Sequence, residues 1–469
     1  MAKGFQIKNF GGNVSWTPSL HFFPGTEAEL LSILDDHRGK EFRAVASLHS
    51  WSSVAATSGV TVDMARFNSV RVLPEEHAVW LGAGCTLQRA LDQLRTSGWT
   101  LPTLGAVKRQ TIAGAISTGT HGSGAPGLSH FVHAVRVARY CRETGKAVIE
   151  TIESGDELRA ARCALGCLGI LLEVKLSIRW NYRVEEVLRT ENSIQDLLSR
   201  YSDHPLSFFV LAPYTNQLVM WQRREVSSGA PDGPLQRMVA ALYRLQNYLG
   251  VDVIFHLLIN LIRRTSLPTH RKFFEVFPKL LLLDKPVVDD SESQLTLAHD
   301  LFRHEEMEIF FPAESMEQAV PFLGQAIGFV AGNLSELEPA IEKRLEEVEL
   351  LKPLKELAST YLHHYPVSFR RVQPEDTLLS MASGNGVWYS ASLFTYSDDR
   401  ESYYRFCRWL APAALRLFGA RLHWGKHFPL SFQEVAPLYP ELEKFREVCR
   451  ERDPDGLFRN DYTRRVLGF

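Results

Sequence analysis

Gln110-Thr111-Ile112-Ala113-Gly114-Ala115-Ile116-Ser117-Thr118-Gly119-Thr120-His121-Gly122-Ser123-Gly124 is the stretch on which the reading of this chain turns. Thr118, Gly119, Thr120, His121 and Gly122 set hydroxyls beside backbone that carries no side chain, with Thr111, Gly114 and Ser117 just upstream. Glycine lets main-chain N–H groups approach a ligand closely, and clustered N–H and hydroxyl donors suit a pyrophosphate. The spacing of Gly119, Gly122 and Gly124 is not the G-x-G-x-x-G of a Rossmann turn. No G-x-x-x-x-G-K-[ST] P-loop occurs in the chain either.

The 469 residues are enough for two or three domains with sizeable cores. Apolar residues make up 45% and charged residues 23%, as in an ordinary globular enzyme. A formal net charge of −2 gives no electrostatic case for nucleic acid as a partner. Six cysteines without a C-x-x-C make no disulfide framework, and they fit a reducing cytoplasm. The first ten residues lack the apolar core of a signal peptide, and no run of about 20 apolar residues predicts a spanning helix. Val251–Ile262 is apolar and is followed by Arg263 and Arg264, with Leu280–Leu283 close behind. A buried helix is the expectation there. The alternative is peripheral membrane contact through 251–283.

Thr26 reads as the N-cap of a short helix from Glu27 to Leu34. Arg43–Ala46, Val60–Met64, Val70–Leu73, Val79–Ala83 and Ile170–Ile178 read as strands, and Pro74 turns a hairpin. Leu87, Leu91 and Leu94 give 86–96 a helical period. Strands mixed with helices over residues 1–180 describe an α+β domain. Further on, 192–200, 235–284 (interrupted at Pro268), 401–417 and 440–452 read as helices, and 228–234 as a loop. Strands are expected at 208–211, 218–222, 307–311, 367–372 and 387–395.

Two more segments join the glycine-rich stretch: Ser47-Leu48-His49-Ser50, and His423-Trp424-Gly425-Lys426. In that order along the chain, the three resemble the FAD-linked oxidases of the vanillyl-alcohol oxidase superfamily, nearest the sugar-lactone and alditol oxidase branch. The closing Asp453-Pro454-Asp455-Gly456-Leu457-Phe458-Arg459-Asn460 shares that likeness. The resemblance implies a two-subdomain FAD-binding domain over 1–180, a mixed α+β substrate (cap) domain over 185–400, and a segment 401–469 returning to the flavin. It implies FAD joined covalently through His49, a glycine at Gly105 that leaves dioxygen a path, and a backbone contact from Ile170 to the adenine. Lys426 would face the flavin, where a fixed cation stabilises the charge gained on reduction. His423 and His427 could alternatively form an i, i+4 metal pair, but no third ligand is evident, so no metal is expected.

One departure concerns the substrate. The family pattern Glu-x-Arg is here Ser368-Phe369-Arg370, so the carboxylate is missing. A serine neither acts unassisted as a base near neutral pH nor accepts so strong a hydrogen bond. Glu308, in Met307-Glu308-Ile309-Phe310-Phe311, is the candidate replacement. The expected reaction removes hydride from a carbinol carbon of a lactone, polyol or other alcohol, with dioxygen as acceptor. A dehydrogenase using a quinone or cytochrome, and a decayed flavin-binding interaction protein, are the alternatives.

Overall fold

A computed structural model describes residues 5–226, 233–280, 285–297, 303–396 and 400–469. Near the N-terminus, strands Leu20–Phe22, Val60–Asp63 and Phe42–Val45 form a small parallel sheet. The helix Glu27–Asp36 starts where expected, with Thr26 Oγ1 accepting from the Glu29 N–H at 3.2 Å. Its buried Leu30 and Leu34 join Phe42, Val60, Val62 and Phe458 in one apolar cluster. A second, antiparallel sheet runs Ala147–Ile152, Val132–Tyr140, Ile170–Ser177, Ala78–Gly82, Val70–Leu73. These two sheets, with the helices packed on them, make the first part of the chain α+β.

The second half is an antiparallel sheet ordered Val287–Asp290, Arg183–Glu191, Leu218–Val226, Phe208–Leu211, Val367–Val372, Trp388–Tyr396, His304–Pro312, Arg421–Leu422. Its register decides the site. Glu308 pairs with Ser392, which also faces Ser368, and Phe310 pairs with Ser390, which also faces Arg370. Successive side chains alternate between faces, so Glu306, Glu308, Arg370 and Phe394 share one surface. The opposite face is apolar: Phe311 packs on Phe418 at 5.7 Å, and Phe322 on Trp409 at 6.1 Å. Those rings bring in the helices Met316–Val330 and Arg400–Phe418.

Four expectations are corrected. Residues 112–118 of the glycine-rich stretch form a helix, ended by Gly119 in the left-handed region at φ 81°. The helical break falls at 263–266, and Pro268 lies in the first turn of Leu267–Leu280, where its missing N–H is harmless. Strands Val132–Tyr140 and Ala147–Ile152 and helix Met316–Val330 were not foreseen. The run Pro234–Ile262 is helical but not buried. Of sixteen exposed large apolar side chains among the described residues, eleven lie between Leu235 and Leu261. Its inner side is docked along its length: Tyr243 bonds Glu186, Arg244 pairs with Asp289, and Ile259 and Ile262 enter the core. The run is long and apolar enough to cross a membrane, and its first helix, Pro234–Gln246, is tied to the edge of the sheet. Residues 227–232 and 281–284 lie outside the described residues, so the loop expected at 228–234 is seen only from its end.

Candidate active site

The three distant segments are stitched together by hydrogen bonds. Trp51 N–H donates to the Gly425 carbonyl at 2.7 Å, and Ser50 Oγ donates to the same carbonyl at 3.0 Å. Ser52 Oγ donates to the Trp424 carbonyl at 2.7 Å, and Thr111 N–H donates to Ser47 Oγ at 3.1 Å. Gly425 faces Thr118 so closely that an added Cβ would lie 3.1 Å from its Oγ1. The turn before His49 is made by Leu48 at φ 56°, a left-handed conformation that costs a β-carbon residue roughly 1–2 kcal/mol.

Between these segments lies a cavity with about 260 Å³ of water-accessible space. Ser47, Leu48, His49, Ser50, Gly105, Thr111, Gly114, Ser117, Thr118, Thr120, His121, Ile170, Glu308, Arg370, His423 and Lys426 all line it. Gly119, Gly122 and Ser368 do not. Gly119 closes its helix against Met381, and Gly122 lies against the Leu104 carbonyl, each too near for a Cβ. Ser368 is buried between strands at the level of Ser392. Gly105 lines the cavity, and a Cβ there would lie 2.8 Å from Thr120 Cγ2. Sequence reasoning missed Glu306, Trp51, His304 and Phe394, which also line the cavity. Glu306 was discoverable, because it lies two residues from Glu308 and strand period puts both on one face.

The charged groups gather at one wall. Lys426 Nζ pairs with Glu306 and lies 4.2 Å from the centre of the Trp51 ring. His121 Nε2 is 3.0 Å from Glu308 Oε1, and its Nδ1 is 2.9 Å from the Gly122 carbonyl. Both ring nitrogens thus face oxygen atoms, which fixes the plane of the ring against the Glu308 carboxylate. Burial pushes the Glu308 carboxyl up, but the charge and hydrogen bond of His121, with His423 and Lys426, hold it well below the usual range. Burial drives His423 down to about 3, and its Nδ1 accepts the Gly425 N–H at 3.0 Å. His121, Glu308 and His423 offer ligand atoms within 4.8 Å of one another. His427 is not in this group; its ring stacks on Tyr404 at 4.5 Å.

The cavity reaches both this charged wall and the apolar cluster around Phe42, Met64, Ala83, Ile170 and Phe458. Its lining of hydroxyls and imidazole, apolar at one place and cationic at another, fits a dinucleotide with two aromatic ends. Fold and donor set together define an FAD-binding oxidoreductase.

Residues 173–466 match the D-arabinono-1,4-lactone oxidase family model, and residues 18–149 match the FAD binding domain model. The chain belongs to the D-arabinono-1,4-lactone oxidase family. It is 40% identical to a long-chain alcohol oxidase from an uncultured marine euryarchaeote, over 100% of this chain and 98% of that protein. It is 27% identical to L-gulonolactone oxidase of Mus musculus, over 99% of each. It is also 27% identical to L-gulono-1,4-lactone dehydrogenase of Mycobacterium tuberculosis, over 98% of each. The crystal structure of cholesterol oxidase from Brevibacterium sterolicum shares the fold, with TM-score 0.70 and 13% identity over 99% of this chain and 97% of that one. The protein is an FAD-dependent enzyme acting on CH–OH groups.

Proposed function

We propose that this enzyme oxidises the CH–OH group of a long-chain alcohol, with dioxygen as the acceptor. FAD supplies the hydride acceptor. The observation that carries the reading is the single carboxylate aimed at the cavity from each of positions 306 and 308, with none at 368. Glu306 is engaged by Lys426, which leaves Glu308 as the group that takes the hydroxyl proton while hydride departs. His121 orients Glu308, His423 orients the Gly425 turn, and Lys426 provides positive charge where reduction places negative charge. Arg370 orients the substrate oxygen, without the Glu partner that grips vicinal hydroxyls, so polyols and aldonolactones are poor substrates. The likeness to a long-chain alcohol oxidase supports the same substrate class.

His49 lines the cavity and stacks on Phe10 at 4.7 Å, which suits a ring held still for covalent attachment to FAD. Residues 1–180 would bind FAD, 185–400 would form the cap, and 401–469 would bring Lys426 back. Asn460 Nδ2 donating to the Val54 carbonyl at 3.1 Å and Phe42 N–H donating to the Leu457 carbonyl at 2.7 Å support that return. The exposed apolar face of 235–261 would rest on a lipid surface, on the cytoplasmic side. Residues 234–280 hold seven Lys/Arg against two Asp/Glu in a chain whose net charge is −2, a balance that suits anionic headgroups.

The test is peroxide release on adding hexadecan-1-ol in air. Stoichiometric hydrogen peroxide supports the reading. Turnover only with an added quinone would make the enzyme a dehydrogenase. Acid precipitation should leave the yellow colour with the polypeptide; free FAD in the supernatant would remove the covalent link alone.

A further inference from the structure

We propose that the substrate's alkyl chain reaches the flavin from the exposed helical layer, along a column of aromatic rings whose width is set by Tyr365. The proposal rests on the long-chain alcohol reading above. His304 and Phe394 line the flavin cavity and meet edge-on at 5.2 Å. Phe394 meets Tyr365 at 5.3 Å, and Tyr365 meets Phe255 at 5.4 Å and His256 at 5.7 Å. Phe255 meets Phe277 at 5.1 Å and Phe273 at 5.8 Å. The column therefore leads, ring by ring, from the catalytic wall to the layer that carries Ile254, Leu257, Leu258 and Leu261 on its outside.

Three physical points favour this route. Edge-to-face contacts between rings are individually weak, so a penetrating apolar chain replaces most of what it displaces. Phe394 and Tyr365 meet through their rings, so a chain passing between them displaces an apolar contact. The wall at Ala106 is closed by different means: Leu297 N–H donates to the Ala106 carbonyl at 2.9 Å, and Lys108 pairs with Glu292 at 2.8 Å nearby. A methylene chain crossing there would have to part a half-buried ion pair and find no polar replacement. Among the described residues, Tyr365 is the ring that touches both the cavity-lining Phe394 and the helix-borne Phe255. It is a positioning and selectivity residue, not a catalytic one.

The experiment compares the FAD-loaded full-length wild type with Tyr365→Trp and Tyr365→Leu. Each is assayed on hexadecan-1-ol in phosphatidylcholine–phosphatidylglycerol vesicles and on butan-1-ol in buffer, with vesicle binding measured in parallel. Tyr365→Trp is expected to lower kcat/KM for hexadecan-1-ol at least about tenfold while butan-1-ol stays within about twofold. Tyr365→Leu should leave the hexadecan-1-ol value unchanged or raised, and both variants should bind vesicles as wild type does. If Tyr365→Trp does not hold FAD, Phe255→Trp, one ring further out, carries the same expectation. Equal effects on both alcohols, or none on either, with wild type active on both, would overturn the column and leave the alcohol reading standing. A wild type reduced by neither alcohol would remove the reading, and the column with it.

Discussion

Ile116 and Leu242 are similar side chains on helices of one chain, yet Ile116 is fully buried and Leu242 is 58% exposed. Ile116 belongs to the half of the molecule where chain-distant segments are pinned to each other by named hydrogen bonds. Leu242 belongs to a layer that is docked on one side by Tyr243 and Arg244 and left apolar on the other. The first arrangement fixes the cavity-lining groups relative to one another. The second leaves contiguous apolar surface facing solvent, which a soluble domain retains only where something covers it. The contrast sets a cavity closed by hydrogen bonds against an apolar layer that nothing among the described residues covers.

The comparison can be broken most sharply at the ordered half. Glu308→Gln keeps the volume and the hydrogen bond to His121 but cannot take a proton. It should slow flavin reduction by roughly 10²- to 10⁴-fold in stopped flow, the range for a positioned general base. Lys426→Met should slow the same step at least about tenfold, which is about 1.4 kcal/mol of barrier. An unchanged rate in either variant would remove that residue's role.

At the other half, Leu242→Glu, Leu249→Glu and Leu257→Glu combined should abolish sedimentation with anionic vesicles, lowering the partition coefficient by more than about tenfold. Flavin content should be untouched, and each exposed substitution should change stability by no more than about 0.5 kcal/mol. A wild type that ignores vesicles but runs as a dimer in gel filtration, and the variant as a monomer, would assign this face to a second copy instead.

Smaller effects sharpen the account of the ordered half. Glu375 is buried, its Oε1 accepting the Gly127 N–H at 3.0 Å, and burial raises its carboxyl from 4.5 to about 6. The folded protein therefore holds this proton more tightly than the unfolded chain. The stabilisation is complete below about pH 4.5 and is lost as pH rises through 6. Glu375→Gln should gain about 2 kcal/mol over wild type at pH 8 and nothing at pH 4, read by calorimetry across pH. Smallest is Leu48→Gly, which relieves the left-handed turn and should raise stability by about 1 kcal/mol or less, with a matching rise in Tm.

Much of the flavin half was legible because its work is done by glycines, hydroxyls and histidines at fixed places in the chain. His49, Thr118, His121 and Lys426 were named from motifs, and the structure brings them to one cavity. Glu306 was missed because the strand expected at 307–311 in fact begins at His304, so the alternation that pairs Glu306 with Glu308 was cut short. The helix at 112–118 was hidden by the same glycines and hydroxyls that made the segment conspicuous, since both are weak helix formers. Strand Val132–Tyr140 went unread because it lies mid-sheet, buried on both faces, without the alternation that marks a half-exposed strand. The exposed run 235–261 was misjudged for a simple reason: an apolar period marks a face that is covered, and it does not say by what.

The most direct measurement is anaerobic mixing of the purified enzyme with hexadecan-1-ol in vesicles and, separately, with L-gulono-1,4-lactone in buffer, following flavin absorbance. The account predicts rapid, complete bleaching by the alcohol and slow or absent bleaching by the lactone. Fast reduction by the lactone, with none by the alcohol, would contradict it.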